Sequence, residues 1–399
     1  MTGPLKGIKV VDLTQVVAGP VCTMLLADQG AEIIKVEFLD GDILRHNNLF
    51  AKGGMNALEL NCNRGKKSIA VDLATDEGIE IVRQLAADAD VFVQNYRAGA
   101  IERLGITHEE LRQANPKLIT VWMSGFGQTG PMADVPVFDP VIQAVSGHCA
   151  VQLNPNVPFH DVHRTILIDK STALTTAQAI AAALFARERS ADGRGGHLEV
   201  SMLDTALFFF WPDGGMANTL LDDDATSGWT LYEIMSVTNC SDGQLVYYLA
   251  NDAHYQGMLR TIGRDDMADD PRYATSEGRT SSPDVPAEIA AAVEAGFYQL
   301  TRDEALDRLR ENDVPAGPLL QVDELHEYPQ TIHNETMHEW EHPLAGRLRQ
   351  PRPAAKFSTH EVDPRWWVPD LGENTDEILA SIGRDDESIA SLRNAGIVE

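Results

Sequence analysis

Short apolar runs alternate with longer amphipathic segments over the first half of the chain. The runs have the length and β-branched content of buried strands, whereas the segments between them have the spacing of helices. We predict strands at 8–13, 32–37, 68–73, 91–96 and 118–123, and helices at about 21–30 and 75–89. Strand and helix alternating at this spacing predict βαβ units and a mostly parallel sheet, which is the α/β fold class.

The pattern changes towards the middle of the chain. The predicted segments there are helices at 171–189 and 200–216, an acidic linker at 221–228, a small α+β unit at about 230–325, and closing helices at 375–382 and 386–394. Between the small unit and the closing helices the chain is irregular and rich in proline. Because 399 residues exceed the size of one ordinary core, two domains are expected.

Composition narrows the class of protein. Hydrophobic residues make up 43% of the chain and charged residues 23%, as in globular proteins, and the formal charge is −28. Such acidity argues against general binding to nucleic acid. The four cysteines lie far apart, which argues against a disulfide framework and for a reducing compartment. With no apolar signal core and no long apolar span, we expect a soluble, cytoplasmic protein without a membrane partner.

Asp169 is the most informative candidate for chemistry. It stands at the end of an apolar run, immediately before an alanine-rich helical pattern. A carboxylate there lies at the positive end of a helix dipole. One interpretation is an N-cap, since aspartate is a favoured capping residue. The other is a nucleophilic carboxylate that forms covalent intermediates, and the position of Asp169 alone leaves both open.

Two basic clusters stand out in this acidic chain. One contains Arg64 and Lys67, and the other runs from Asn95 through Arg97 to Arg103 after the fourth predicted strand. Either they hold the phosphates of a nucleotide-like molecule or they are solvated loop charges. The first strand-to-helix turn lacks GxGxxG, which disfavours a nicotinamide-binding domain. Four late histidines match no usual ligand spacing, so no metal is expected.

Several of these segments together resemble the class III coenzyme A transferases, which include formyl-CoA and carnitine CoA-transferases. The segments that carry the resemblance are 10–14, 18–20, 30–37, 63–69, 93–96, 124–131, 168–172, 314–318 and 371–376. The resemblance implies a Rossmann-like large domain with a parallel sheet, a smaller central α+β domain, and two ring-shaped chains interlocked as a homodimer. It places the large domain at 1–220, the central domain at 221–328, and a return segment that completes the large domain at 329–399.

The resemblance also implies roles for individual residues. Asp169 takes the position of the family's nucleophile. Residues in the positions of the family's CoA site are Val16, Arg64, Lys67, Val71, Asn95, Tyr96, Arg97, Ala100, Arg103, Leu104 and Phe138. The family's usual glutamine is absent at Val17, and Gln15, two residues away, is a candidate catalytic substitute. Acyl-CoA and a carboxylic acid are then substrates, and no cofactor is bound permanently.

The same superfamily contains α-methylacyl-CoA racemases, which are the alternative. These use a histidine at the position of Phe138 and a glutamate near the position of Asn251. Phenylalanine cannot carry a proton, so the racemase interpretation loses its acid/base pair. A non-catalytic CoA-binding protein is a third interpretation, which the intact Asp169 disfavours. We therefore expect CoA transfer from an acyl-CoA to a carboxylic acid through a covalent aspartyl-CoA thioester on Asp169.

Overall fold

The structure is a computed structural model that describes residues 2–47, 49–152, 160–222, 224, 228, 230–360 and 365–399. The chain divides into two compact units. The large unit contains Met1–Asp223 and Asn334–Glu399, and the small unit contains Asp224–His333. Both ends of the chain therefore belong to the same unit. Half of the predicted linker at 221–228 lies outside the described residues.

The bounds of the secondary structure are as follows. The strands are β1 (Lys9–Leu13), β2 (Glu32–Glu37), β3 (Ala51–Lys52), β4 (Met55–Asn56), β5 (Lys66–Ala70), β6 (Val91–Gln94), β7 (Ile119–Ser124), β8 (His197–Ser201), β9 (Thr238–Asn239), β10 (Gln244–Tyr247), β11 (Ala316–Pro318), β12 (Met337–His342) and β13 (Gly346–Pro351). The helices are α1 (Ala18–Asp28), α2 (Ala57–Cys62), α3 (Asp76–Ala87), α4 (Ala100–Arg103), α5 (His108–Ala114), α6 (Asp139–Val145), α7 (Leu167–Arg189), α8 (Met202–Phe210), α9 (Leu231–Ile234), α10 (Asp252–Thr261), α11 (Asp265–Ala268), α12 (Pro271–Ala274), α13 (Ser276–Thr280), α14 (Asp284–Phe297), α15 (Arg302–Glu311), α16 (Pro329–His333), α17 (Thr375–Ser381) and α18 (Asp386–Asn394).

A six-stranded sheet in the order β5-β2-β1-β6-β7-β8 forms the centre of the large unit. All of its neighbouring strands pair in parallel. The chain runs outwards from β1 through β2 to β5, and then outwards on the other side from β6 through β7 to β8. The strand order therefore reverses between β1 and β6. Open parallel sheets bind ligands at the carboxyl ends of the strands that flank such a reversal.

Helices cover both faces of this sheet. On one face α3, α5, α17 and α18 close a core that includes the fully buried Val11, Phe92 and Trp122. On the other face α1 and α7 pack over Val10 and Ile33 through small residues such as Ala173. The C-terminal helices contribute the buried Ile378, Leu379, Ile389 and Leu392 to the first core.

The small unit has its own core. Strands β9, β10 and β11 form an antiparallel sheet, and helices α10, α14 and α15 pack with it around the buried Leu245, Met258, Phe297 and Leu309. No helix in the described part of the chain is long and apolar enough to cross a membrane.

The predicted parallel sheet and the closing helices are confirmed, but two predicted helices were wrong in extent. The helix predicted at 171–189 begins four residues earlier, at Leu167. The segment 200–216 is not one helix, because β8 pairs with β7 and ends where α8 begins. The Ser201 side chain accepts a hydrogen bond from the Asp204 N–H and so caps α8. Strands β12 and β13 form a hairpin in the segment expected to be irregular.

Candidate active site

The loop that follows β1, residues 14–16, lies at the reversal of the strand order. Its middle residue, Gln15, is paired with Asn95, the first residue after β6. The Gln15 N–H donates to Asn95 Oδ1 over 2.9 Å, and Asn95 Nδ2 donates to the Gln15 carbonyl over 2.8 Å. Two predicted site residues that are 80 positions apart in the chain are thus brought into direct contact.

Val16, the last residue of loop 14–16, has an unusual backbone conformation. Its φ of +69° lies in the left-handed region, where a β-branched residue is a genuine outlier. Its N–H donates to both carboxylate oxygens of Asp42 over 3.1 Å. Strained backbone of this kind is concentrated at functional sites.

Asp169 is the third residue of α7, and it does not cap that helix. Asp139 does so: its Oδ2 accepts hydrogen bonds from the N–H groups of Ile168 and Asp169 over 2.6 and 2.9 Å. These are two of the N–H groups that a helix leaves unpaired at its start. The N-cap interpretation of Asp169 is therefore wrong, because a carboxylate from 30 positions earlier in the chain takes that role.

The Asp169 carboxyl group is buried, with 8% of the residue exposed. Burial, together with the nearby Asp139 carboxylate, raises its pKa from 3.8 to about 7, and Lys170 opposes this rise only in part. The oxygens of the Asp169 carboxyl accept no hydrogen bond from the residues that the structure describes. A carboxylate with a raised pKa and unoccupied oxygens is more basic than an ordinary one and is free to react.

A small apolar cluster joins loop 14–16 to the start of α7. Val17, Leu44 and Cys62 form its buried part, and Val16 and Ile166 pack against them. Ile166 directly precedes α7, and the Cys62 thiol interacts electrostatically with the Asp169 carboxylate. Loop 14–16 and the residue that precedes α7 therefore border the same cluster.

The segment after β6 carries exposed positive charge. Arg97 and Arg103 are exposed, and within the described ranges neither forms an ion pair. A guanidinium nitrogen of Arg103 lies over the turn at Gly99, whose φ is +72°. Tyr96 is half-buried and meets Phe38 edge-on, with the ring centroids 6.1 Å apart. In this acidic chain, two unpaired guanidinium groups beside the strand-order reversal are suited to phosphate.

Other predicted CoA-site residues lie elsewhere or have no free polar group. Arg64 forms a buried ion pair with Asp28 at the end of α1, with its Nη2 2.7 Å from Oδ2. Lys67 pairs with Glu32 at the start of β2 over 2.8 Å. Both cations therefore lie at the amino ends of the strands, opposite the edge that carries loop 14–16.

Three further predicted residues are apolar. Val71 is fully buried and bridges to Val398. Leu104 is partly buried against the core of the sheet face that α3 covers, and Ala100 begins the short helix α4. These side chains can pack against a ligand but cannot pair with its charged groups.

Comparison with known proteins fits this arrangement. The model of a family described as CoA-transferase family III matches residues 5–375. The chain belongs to CoA-transferase family III. The resemblance drawn from the motifs is thereby confirmed.

Relatives and solved structures of the family match nearly the whole chain. The human succinyl-CoA:glutarate CoA-transferase is 31% identical over 99% of this chain and 90% of its own length. The acetyl-CoA:oxalate CoA-transferase of Acetobacter aceti is 34% identical over 82% of this chain and 84% of its own. A crystal structure of a CAIB/BAIF family protein from Brucella suis is 29% identical, has a TM-score of 0.80, and is matched over 96% of this chain and 100% of its own.

The structure describes Phe138 and Asn251, the two positions at which the resemblance implies the acid/base pair of a racemase. Phe138 precedes α6 and is 61% exposed, beside the Asp139 that caps α7. Asn251 caps α10 by accepting a hydrogen bond from the His254 N–H over 2.9 Å. Neither side chain can exchange a proton with a substrate carbon at neutral pH.

Sequence reasoning did not single out three buried residues that contact the candidate site: Asp139, Asp42 and Lys35. The sequence contains a signal that could have pointed to Lys35 and another that could have pointed to Asp139. Lys35 stands inside an otherwise apolar strand and is 1% exposed, which requires a buried partner. Asp139 precedes Pro140, a pair typical of a helix start. Nothing in the local sequence connects either residue to Gln15 or Asp169. Within the described residues, no group of side chains is arranged to hold a metal ion.

Proposed function

We propose that this protein transfers coenzyme A from an acyl-CoA donor to a carboxylic acid through a covalent aspartyl-CoA thioester on Asp169. The observation that carries the proposal is the Asp169 carboxyl itself: it is buried at the start of α7, its pKa is raised to about 7, and its oxygens accept no hydrogen bond from described residues. Membership of CoA-transferase family III supports the same chemistry.

The reaction proceeds by four exchanges on one carboxylate. An Asp169 oxygen attacks the thioester carbonyl of the donor, the carbon–sulfur bond breaks, and CoA leaves as a thiolate. The thiolate attacks the aspartyl carbonyl of the resulting anhydride and releases the donor acid. The acceptor carboxylate then attacks the aspartyl thioester, the carbon–sulfur bond breaks, and a second anhydride forms as CoA leaves again as a thiolate. The thiolate finally attacks the acceptor carbonyl of this anhydride, which gives the new acyl-CoA and frees the Asp169 carboxylate. Each step conserves an activated acyl bond, so no nucleotide triphosphate is needed.

A carboxylate is a weak nucleophile, and the surroundings of Asp169 compensate for this in two ways. Raising its pKa increases the basicity of Asp169, and holding it at a helix start fixes its direction. The tetrahedral intermediates need hydrogen-bond donors for a developing oxyanion. The Gln15 side chain and the backbone N–H groups near Gly19, in the first turn of α1, are the candidates.

The CoA portion is proposed to bind along the segment that follows β6. Arg97 and Arg103 contact its phosphates, while Asn95 and Tyr96 line the approach to Asp169. Their position at the carboxyl ends of the central strands supports this role. Arg64 and Lys67 are left out of the proposal, because both are ion-paired at the opposite edge of the sheet.

A homodimer, interlocked as the family resemblance implies, is also proposed. Large apolar side chains stand exposed on α7 and α8, among them Leu174 at 60%, Phe185 at 64% and Phe208 at 80%. Exposed apolar side chains in such number favour an interaction surface. An interlocked pair should persist at nanomolar concentration in sedimentation velocity, and a monomer there would contradict it. A cytoplasmic location stays a prediction.

The decisive experiment is capture of the intermediate. The protein is incubated with a panel of acyl-CoAs and the peptide containing Asp169 is analysed by mass spectrometry, with borohydride reduction as a second trap. Asp169→Asn is the control, since asparagine keeps the size but cannot form the thioester. Acceptor acids for turnover should include succinate, glutarate and oxalate, named for the relatives.

The same incubation tests the racemase alternative. In heavy water, a racemase exchanges the α-proton of a 2-methylacyl-CoA, which nuclear magnetic resonance detects. Brisk exchange without transfer to any acid would overturn the proposed function. A thioester on Asp169 with no α-proton exchange is the expected result.

A further inference from the structure

The Asp42 carboxylate is hydrogen-bonded to the backbone of loop 14–16. It is 3% exposed, both of its carboxylate oxygens accept from the Val16 N–H over 3.1 Å, and Oδ1 also accepts from the Leu44 N–H over 3.1 Å. Lys35, 1% exposed, donates to Asp42 Oδ2 over 3.1 Å and to the Thr14 carbonyl over 2.8 Å. The buried Lys35–Asp42 ion pair is thus hydrogen-bonded to the first and last residues of the loop, Thr14 and Val16.

The backbone of Thr14 and Gln15, the other two residues of the loop, is also hydrogen-bonded to side chains. The Thr14 N–H donates to Asp12 Oδ1 over 2.9 Å, and the Gln15 N–H and carbonyl are both bonded to Asn95. All three N–H groups of the loop therefore donate to buried or half-buried side chains. A strained backbone persists only where its surroundings over-determine it in this way.

The strain is specific to Val16. Its φ is +69°, whereas that of the next residue, Val17, is −125°. In the left-handed region the Cβ of an L-residue crowds the following carbonyl, and branching at Cβ increases the crowding. Without the Asp42 contact, Val16 would relax to a negative φ and the Gln15–Val16 peptide would rotate with it.

The loop packs near the start of the helix that carries Asp169. Val16 packs in the same apolar cluster as Ile166, which immediately precedes α7, and Asp169 is the third residue of that helix. A rotation at Val16 would therefore turn Gln15 and the start of α1 relative to Asp169. Within the described residues, the loop meets the segment that carries the proposed phosphate contacts through Asn95, and it forms no hydrogen bond with Arg97 or Arg103.

We propose that Asp42, held by Lys35, is a positioning residue for the transfer reaction: it keeps Val16 left-handed and so aims Gln15 and the first turn of α1 at the Asp169 carboxyl. This inference rests on the proposed function. It predicts an effect on the chemical step and not on CoA binding. If the Asp42 carboxylate only stabilised the fold, its replacement would not affect the chemical step without affecting CoA binding.

The main test is Asp42→Asn, with and without Val16→Gly. Asparagine has one acceptor oxygen where the carboxylate has two, so it cannot accept from Val16, Leu44 and Lys35 together, and Val16 should lose its left-handed conformation. We expect kcat for transfer to fall at least about tenfold, which corresponds to about 1.4 kcal/mol, with the KM for acyl-CoA changed less than about threefold. Glycine adopts a positive φ without strain. In the Val16→Gly background, Asp42→Asn should therefore lower kcat by less than about threefold.

Equal losses of kcat in both backgrounds would overturn the proposal, as would a loss confined to KM. A second comparison needs no change at Asp42 and so does not depend on that variant folding. At Val16, the glycine variant should melt at or above the alanine variant, whereas at the matched control Val17 alanine should melt higher. The alanine variant melting higher at Val16 as well would refute the strain.

These outcomes separate the two proposals. A wild-type protein that forms no thioester on Asp169 would remove the proposed function and leave the melting order at Val16 intact. A wild-type protein that transfers CoA normally, with Asp42→Asn equally active, would refute only the positioning role.

Discussion

Replacing Asp169 with asparagine should stabilise this protein at alkaline pH while abolishing its activity. The folded-state pKa of Asp169 is about 7, against 3.8 for an ordinary aspartate, mainly because burial penalises the charged form and secondly because Asp139 lies nearby. A difference of about 3 pH units corresponds to about 4 kcal/mol, since each unit is worth about 1.4 kcal/mol. The negative charge on Asp169 is therefore a cost to folding that the reaction requires.

The sign follows from proton binding. Between pH 4 and pH 7 the folded protein holds the Asp169 proton while the unfolded chain has released it. Stability from this group is therefore greatest below pH 4, falls as the pH rises to 7, and is flat above that. Asparagine carries no such charge. The variant should match the wild type near pH 5 to within about 1–2 kcal/mol and exceed it by up to about 4 kcal/mol at pH 8.

The assay is chemical or thermal unfolding of both proteins from pH 5 to pH 8.5. An increase of about 4 kcal/mol corresponds to roughly 8 °C in melting temperature for a unit of this size. Glu59, whose pKa burial also raises to about 7, contributes to both proteins equally and cancels in the difference. Asp161→Asn is the control: hydrogen bonds from the Val162 N–H and Arg164 lower the Asp161 pKa, so its difference should not vary between pH 5 and 8. A stability difference at Asp169 that is constant with pH, or negative at pH 8, would refute the reasoning.

Three further expectations concern the site. Arg103→Ala should raise the KM for the CoA ester about tenfold, because a charge-assisted phosphate contact is worth about 1.5–3 kcal/mol. Lys67→Ala is the control and should leave this KM within about twofold. Equal effects of the two substitutions in steady-state kinetics would contradict the placement of the two cations. The rate of transfer should rise with pH as Asp169 ionises near 7, and Asp139→Asn should move that rise to lower pH because it removes a neighbouring negative charge; an unmoved pH profile would exclude the interaction. Gly19→Ala should cost about 1–3 kcal/mol in denaturant unfolding, since its Cβ would stand 2.3 Å from a threonine side chain, and a variant as stable as the wild type would show that the loop can yield.

Much of the large unit follows from the periodicity of the sequence. The five predicted strands all occur within a few residues of their expected places, because continuous apolar runs report burial on both faces of a parallel sheet. The missed strand of that sheet, β8, lies at one of its two edges, and only Ser201 of its five residues is fully buried, so its apolar pattern is weak. The motifs also brought Asp169, Asn95 and Gln15 forward as candidates.

The contacts that make a site of these candidates depend on the tertiary structure. Asp139 reaches the start of α7 from 30 positions away, and Asn95 meets Gln15 across 80. Arg64 and Lys67 were expected to assist Arg103 in binding phosphate, yet strand direction puts them at the far edge of the sheet. Local periodicity records how deeply each residue is buried. Which strand end faces which helix start is set by sheet order and register, and these are decided only when distant segments pack together.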